Sequence, residues 1–278
     1  MVIQHNIPAI NSYRQLGGNN SALAKNLEKL SSGYKVNRAG DDAAGLAISE
    51  KMRAQIRGLE TAMKNAKDGI SVIQTAEGAL TEVHSMLNRM VELVTQAANG
   101  IYGSLERQNI QAEITALNNE IGRISDSTNF NGIELLDGNL SASGLVLQVG
   151  DTADQTIVVN VSSMSAASLS SDTVAVTGSD NAAAVSASNG SISTIKFAIN
   201  KVSEQRANLG ALQNRLEHTI NNLGVTTENI TAAESRIRDT DMAEEMMNYT
   251  KNNILVQAAQ AMLAQANFIP QGILQLLR

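Results

Sequence analysis

The chain has 278 residues with 21 basic and 27 acidic side chains, a formal net charge of −6, two prolines, 3% aromatics and neither cysteine nor tryptophan. The absent cysteine removes any disulfide framework, thiolate metal site or cysteine nucleophile, and the acidic excess disfavours nucleic acid, which calls for clustered Lys and Arg. A 43% hydrophobic share with so few aromatics suits long helices joined by many small contacts.

Residues 1–40 place Ile3, Ile7, Ile10, Leu16, Leu23, Leu27 and Leu30 on helical spacing, with Pro8 in the first turn and Asn6 or Ile7 near the cap. The start lacks a basic stretch followed by an apolar core, so no cleaved signal peptide is expected. Next comes a heptad stripe, Ile56, Leu59, Met63, Ala66, Ile70, Ile73, Ala76, Leu80, Val83, Leu87, Met90 and Val94, with one three-residue slip at Ala76. Asp41 or Asp42 can cap this helix and Asn99-Gly100 can end it, which predicts roughly 55 residues and roughly 85 Å. Ile110, Ile114, Leu117, Ile121 and Ile124 predict a shorter helix folded back antiparallel through the loop at 99–104.

Between 129 and 161 the period becomes two, with Leu145, Leu147, Val149 and Ile157, Val159, Val161 alternating between turn dipeptides such as Asn131-Gly132, which predicts a small β-hairpin region. Residues 162–190, rich in Ser, Ala and Thr, show little period and read as a short surface loop or variable tip. A third long stripe joins Ile192, Ile195, Ile199, Val202, Leu209, Leu212, Leu216, Leu223 and Ile230. The last, in 242–277, runs through Met242, Met246, Tyr249, Ile254, Ala258, Ala261, Ile269, Ile273 and Leu276, and its Gln residues argue against membrane insertion.

The fold class that follows is mainly α: a long antiparallel helical bundle or coiled coil with a small β-hairpin region, its terminal helices pairing as a separate stalk. The domains are expected at 1–40 plus 240–278 and at 41–239. Arg14, Lys25, Lys29, Lys35 and Arg38, against Glu28, complement Glu234, Asp239, Asp241, Glu244 and Glu245, against Arg236 and Arg238, which favours the two ends meeting, with a solvated charged face as the equal alternative. A thin pair of amphipathic helices leaves apolar surface exposed and so asks for further copies of itself. His5, His84 and His218 stand in no metal-ligand spacing, and no phosphate-binding or nucleophile motif occurs. No catalytic residue, cofactor or metal is therefore expected. The methionines read as adaptable packing.

The residues carry a resemblance. LEKLSSGYKVNRAGDDAAGLAISEKMRAQIRGL at 27–59 and DGISVIQTAEGALTEVHSMLNRMVELVTQAANG at 68–100 resemble the N-terminal block of bacterial flagellin, NFNGIELLDG at 129–138 its turn into a hairpin, and NILVQAAQAMLAQANFIPQGILQLLR at 253–278 its C-terminus. The resemblance implies a short form without large outer domains, a homopolymer forming an extracellular filament for motility, with 1–40 and 240–278 lining its inner tube. It further implies a flagellar export apparatus, a flagellin-specific secretion chaperone, filament cap and hook-junction proteins, and a host flagellin receptor as partners. A hook-filament junction protein or a secreted coiled-coil interaction protein is the alternative.

The matching receptor positions are Arg89, Leu93, Gln96 and Glu113, a face equally suited to packing between protofilaments. Each of Arg89, Leu93 and Gln96 precedes a core position by one residue, so Leu93 is expected to be an exposed leucine beside an arginine, with Glu113 adjoining if the helices pair antiparallel. Leu274, Leu276 and Leu277 match leucines shown to an intracellular immune sensor and used in inner-tube packing. Met246, Ile254, Leu263 and Ile273 are the chaperone and assembly positions. Pro8, Asn88 and Val91 depart from the family pattern.

Overall fold

Helix ends in this chain are written in short polar side chains. In the computed structural model, which describes residues 6–178 and 180–276 and side chains as far as Ile269, α1 spans Ile7–Ser32. Asn6 caps it by accepting the Ala9 N–H at 3.2 Å, Pro8 sits in the first turn where a missing N–H costs nothing, and Gly33 ends it at φ 74°. The second helix, α2, spans Ala43–Ala97 and has the 55 residues expected of it. Asp42 caps it, its Oδ1 accepting the Gly45 N–H at 2.9 Å. Beside it, the Arg38 N–H and then Lys25 hold the Asp41 carboxyl below its ordinary pKa.

There follow α3 (Ser104–Ser127), two ribbons pairing β1 (Asn129–Phe130) with β2 (Ile133–Glu134) and β3 (Leu145–Gln148) with β4 (Thr156–Val159), then α4 (Asn181–Arg238) and α5 (Met242–Leu276). The chain divides into two compact units, Met1–Ile56 with Glu228–Arg278, and Arg57–Thr227. The boundaries expected at 40 and 240 fall instead within α2 and α4. The reason is polar: Ser49 and Arg53 of α2 bond Glu234 of α4 and Tyr34, so the near ends of both long helices belong with the chain termini.

In the unit of residues 57–227 the seam of α2 is a continuous heptad. Leu59, Ala62, Ala66, Gly69, Ile73, Ala76, Leu80, Val83, Leu87, Met90, Val94 and Ala97 are buried in strict alternation of three and four. The slip at Ala76 disappears because Ala62 and Gly69 occupy the seam where Met63 and Ile70 were expected. Both are small for a reason visible at Gly69, where an added Cβ would run into Leu147 of the hairpin. The hairpin lies on α2 at this point, with the Asn65 Nδ2 donating to the Gln148 carbonyl at 3.1 Å. Register pairs Leu145 with Val159 and Leu147 with Ile157, which turns Ile157 and Val159 inward and leaves Val146 and Val158 exposed.

Contacts at two heights fix helix directions. Arg89 meets Glu113 and Arg107 meets the Ala97 carbonyl, so α3 runs antiparallel to α2. Glu77 meets Arg206 and Gly100 meets Asn181, so α4 does likewise. Arg107, only 3% exposed, lies where α2 ends, donating to the carbonyls of Ala97 and Asn99 and to the Asn181 side chain. A cation at the negative end of the helix dipole needs no carboxylate partner.

Residues 162–190 are not a surface loop. Val161, Met164, Leu169, Val174 and Val176 are buried in the core, and from Asn181 the chain is already α4. The α4 seam begins with Ala184, Ser188 and Ser191 before Ile195, and later includes Gln205, so a stripe counted on apolar residues alone starts too late. The irregular backbone before it is paired by side chains instead of a neighbouring strand. Gln111 accepts from the Val176 N–H at 2.8 Å and donates to the Val174 carbonyl at 3.2 Å. Ser191 Oγ accepts the Ala175 N–H and donates to the Ala175 carbonyl, at 3.1 and 2.9 Å. Gln205 does the same for Ser162 and Asn160.

Substituting Gln111→Leu strands one buried N–H and one carbonyl together, and is expected to lower stability by about 1–3 kcal/mol, read as a shift of the denaturant midpoint. A surface loop would show no such shift.

Candidate assembly and recognition surfaces

Helices α1 and α5 pair antiparallel along heptad seams, their Cα atoms coming repeatedly within 8 Å. The α1 seam is Ala9, Ser12, Leu16, Asn19, Leu23, Asn26 and Leu30, all half-buried. Facing it are Glu245, Tyr249, Asn252, Val256, Ala259, Leu263 and Ala266. Register is set at both ends: Asn6 Nδ2 donates to the Ala266 carbonyl at 2.8 Å, and Lys29 lies 3.9 Å from Glu245. Small and polar residues on this seam permit close backbones but bury little apolar area.

The more apolar faces point elsewhere. On α1, Ile7, Ile10, Tyr13 and Leu27 are exposed. On α5, Met247, Ile254, Ala261 and Phe268 stand seven apart directly opposite the seam, and Leu255, Met262 and Ile269 form a second exposed row. The stripes expected in both segments therefore mixed two faces. Leu16, Leu23, Leu30 and Tyr249 lie in the seam, whereas Ile7, Ile10, Leu27, Met242, Met246, Ile254, Ala258, Ala261 and Ile269 are exposed, because Ser, Asn and Ala hold the alternate seam positions. Of the assembly positions, Met246 and Ile254 are exposed and Leu263 is half-buried in the seam. The side chains of Ile273, Leu274 and Leu276, and Leu277 altogether, lie outside the described residues.

Where α1 and α5 leave the turns beside them, the sequence reading missed a knot of polar and aromatic groups. Tyr34 and Asp239 form an isolated antiparallel bridge, the Lys35 N–H donating to the Arg238 carbonyl at 2.6 Å and the Thr240 N–H to the Gly33 carbonyl at 3.0 Å. Over the Tyr34 ring stand two guanidinium groups, Arg238 at 4.8 Å and Arg53 at 5.5 Å. Arg53 also donates to the Tyr34 hydroxyl at 3.0 Å. Their charge is answered by Glu234, which accepts from Ser49 at 2.9 Å and lies 3.4 Å from Arg53, and by Glu50, 2.6 Å from Arg238. The signal was a lone aromatic just after a helix-ending glycine in a chain with four tyrosines.

The second surface lies in the unit of residues 57–227. Arg89 and Glu113 meet across α2 and α3 at 2.9 Å, with Glu92 also 3.0 Å from Arg89. The hydrogen bonds that Arg89 donates to Glu92 and then to Glu113 raise its pKa above the ordinary value. Gln96 donates to the Tyr102 hydroxyl at 3.1 Å. Leu93, expected to be exposed, is only 2% exposed and belongs to the hydrophobic core. It lies beside Val94 and between Met90 and Ala97, so α2 presents a two-residue-wide seam here and takes Leu93 in with it. What remains outside is a charged patch, Arg89, Glu92 and Glu113, with Gln96 next to it.

Two families of known sequence match the chain: the bacterial flagellin N-terminal helical region over residues 3–141 and the bacterial flagellin C-terminal helical region over residues 192–277. Flagellin of Bacillus subtilis (strain 168) is 55% identical, with 100% of both chains covered. A flagellar filament 33 kDa core protein of Treponema phagedenis is 48% identical, again with 100% of both covered. Among solved structures, a Vibrio parahaemolyticus chain assigned to the flagellar hook-associated proteins aligns with a TM-score of 0.59 at 14% identity, over 72% of this chain and 100% of its own, a likeness of fold alone.

The corrected position of Leu93 separates two neighbouring substitutions. Leu93→Ala is expected to cost about 2–4 kcal/mol as a core cavity, whereas Arg89→Ala should change stability by no more than about 0.5 kcal/mol. Equilibrium denaturation of the two variants distinguishes this from an exposed leucine, for which both values would be small.

Proposed function

The chain belongs to the bacterial flagellin family, and on that footing we propose that it polymerises into the flagellar filament through the outward apolar faces of α1 and α5. The observation that carries this is the surplus of apolar side chains on the outside: the helix pair seats Leu16, Leu23, Leu30, Val256 and Leu263 among Ser, Asn and Ala in its seam and still exposes Met247, Ile254, Leu255, Met262, Phe268 and Ile269. A single chain gains little from that arrangement, while copies stacked side by side bury these rows against one another at roughly 25 cal/mol per Å². In this reading the terminal helices line the inner tube, the remainder forms the wall, and the protein acts as a structural component outside the cell.

The same exposed rows account for a secretion chaperone. Before export, Met246 and Ile254 would otherwise meet other copies, and an apolar groove that takes up α5 keeps the chain single. Arg89, Glu113 and Gln96 remain available as polar contacts for a neighbouring protofilament or a host receptor, with Leu93 serving as the support beneath them. The leucines at 274, 276 and 277 keep their assignment to inner-tube packing and to an immune sensor as part of this proposal, as do the export apparatus, cap and hook-junction proteins.

Seeded polymerisation tests the central claim. Ile254→Asp and Phe268→Asp place a charge in the outward row and should abolish elongation from filament seeds, while circular dichroism stays within about a tenth of the unsubstituted chain because neither residue is buried in the monomer. Normal elongation by both variants would overturn the reading, and failure of the unsubstituted chain to elongate seeds would favour a junction protein instead.

A further inference from the structure

We propose that Met242, Met246, Met247 and Met262 form an oxidation-sensitive site of the unassembled chain, at which conversion to methionine sulfoxide blocks addition to the polymer. The inference rests on the assembly reading above. Of the ten methionines, Met90 and Met164 are buried, and Met52, Met63 and Met86 are half-buried. The exposed ones among the described residues are all on α5, at 48%, 50%, 66% and 62% for Met242, Met246, Met247 and Met262. Met247 shares its row with Ile254, Ala261 and Phe268, and Met262 stands between Leu255 and Ile269 in the other. A flexible thioether suits a face that must fit more than one neighbour, but in the single chain it leaves the sulfur open to water.

The chemistry needs a peroxide as oxidant. A sulfur lone pair attacks the outer peroxide oxygen, the O–O bond breaks as the S–O bond forms, sulfur is oxidised by two electrons and the peroxide is reduced to water. At Met247 and Met262 the product is a polar, chiral sulfoxide in rows otherwise made of Ile, Leu, Ala and Phe side chains, none of which can donate a hydrogen bond to it. Burying that oxygen unpaired opposes assembly. Once assembled, the same burial shields the sulfurs, so sensitivity belongs to the chain between synthesis and incorporation.

The test treats the monomer and seeded filaments with limiting hydrogen peroxide and maps the products by peptide mass spectrometry. In the monomer, the α5 methionines are expected to oxidise about tenfold faster than Met90 and Met164, with that advantage lost in filaments. The oxidised monomer should elongate seeds about tenfold more slowly, and a mixture of methionine sulfoxide reductases acting on both epimers should restore the rate. A variant carrying Met242→Leu, Met246→Leu, Met247→Leu and Met262→Leu should elongate with and without peroxide alike. Oxidised monomer elongating at the untreated rate, reductase treatment failing to restore it, or the leucine variant remaining peroxide-sensitive would each overturn the inference. Rescue by the reductases decides the matter even if the leucine variant assembles poorly. Ile254→Asp run alongside separates the two readings: if it elongates normally the assembly surface is elsewhere, and if it fails while oxidised chain elongates, only the oxidation site is lost.

Discussion

A long helix meets its neighbours along a seam that holds only two residues in every two turns, and in a chain with three phenylalanines and no tryptophan that seam decides where every apolar side chain can go. In the unit of residues 57–227 the seams of α2, α3 and α4 share one core, filled by Ile, Leu, Val, Met and Ala, and Gly69 of α2 leaves room for Leu147 of the hairpin. In the terminal pair there are two helices only. One seam cannot accommodate the apolar residues of both, and the surplus forms outward rows. The difference between a self-sufficient unit and one completed by other copies therefore lies in how many helices share a core, since both are built on the same heptad rule.

Much of this was legible. The α2 ends, the Asn6 and Asp42 caps, the antiparallel return of α3 and the hairpin alternation all follow from local chemistry that the tertiary fold leaves in place. What misled was the equation of seam with apolarity. Ser188, Ser191 and Gln205 are buried seam residues of α4 that no hydrophobic pattern reveals, and they concealed the first turns of that helix and the packed segment before it. On α1 and α5 the equation mixed seam residues such as Leu16, Leu23, Leu30 and Tyr249 with exposed ones such as Ile7, Ile10 and Ile254. Leu93 shows the same ambiguity within one turn, because a position next to the seam can be drawn in when its neighbours are large. Of the positions assigned to that face, Arg89 and Glu113 meet at the surface, whereas Leu93 lies in the core beneath them.

The knot at Tyr34 could not be read from sequence because Tyr34, Ser49 and Arg53 lie about 200 residues from their partners Glu234 and Arg238 along the chain. Its backbone exchange on either side of the Tyr34 and Asp239 pair starts α1 and α5 from a common point. With that origin fixed, the positions of Asn6 against Ala266 and Lys29 against Glu245 follow from the equal rise of two helices. A seam in which Leu and Val alternate with Ser, Asn and Ala at a regular seven-residue repeat looks alike after each repeat, and the knot supplies a reference for its register.

The backbone between Asn160 and Val176 is held by Gln205, Lys201, Asn118, Gln111 and Ser191 at separate points. A β-ladder transmits any change of length along its whole register, whereas pins act independently. Extra residues at the exposed Asp172 and Thr173, between the Asn118 and Gln111 attachments at the carbonyls of Ser171 and Val174, would add mainly loop-closure entropy, about 0.6 kcal/mol for each doubling of loop length. The helical frame is in this sense indifferent to what is carried there, and natural or engineered passenger sequences can vary at that site without rewriting the rest of the chain.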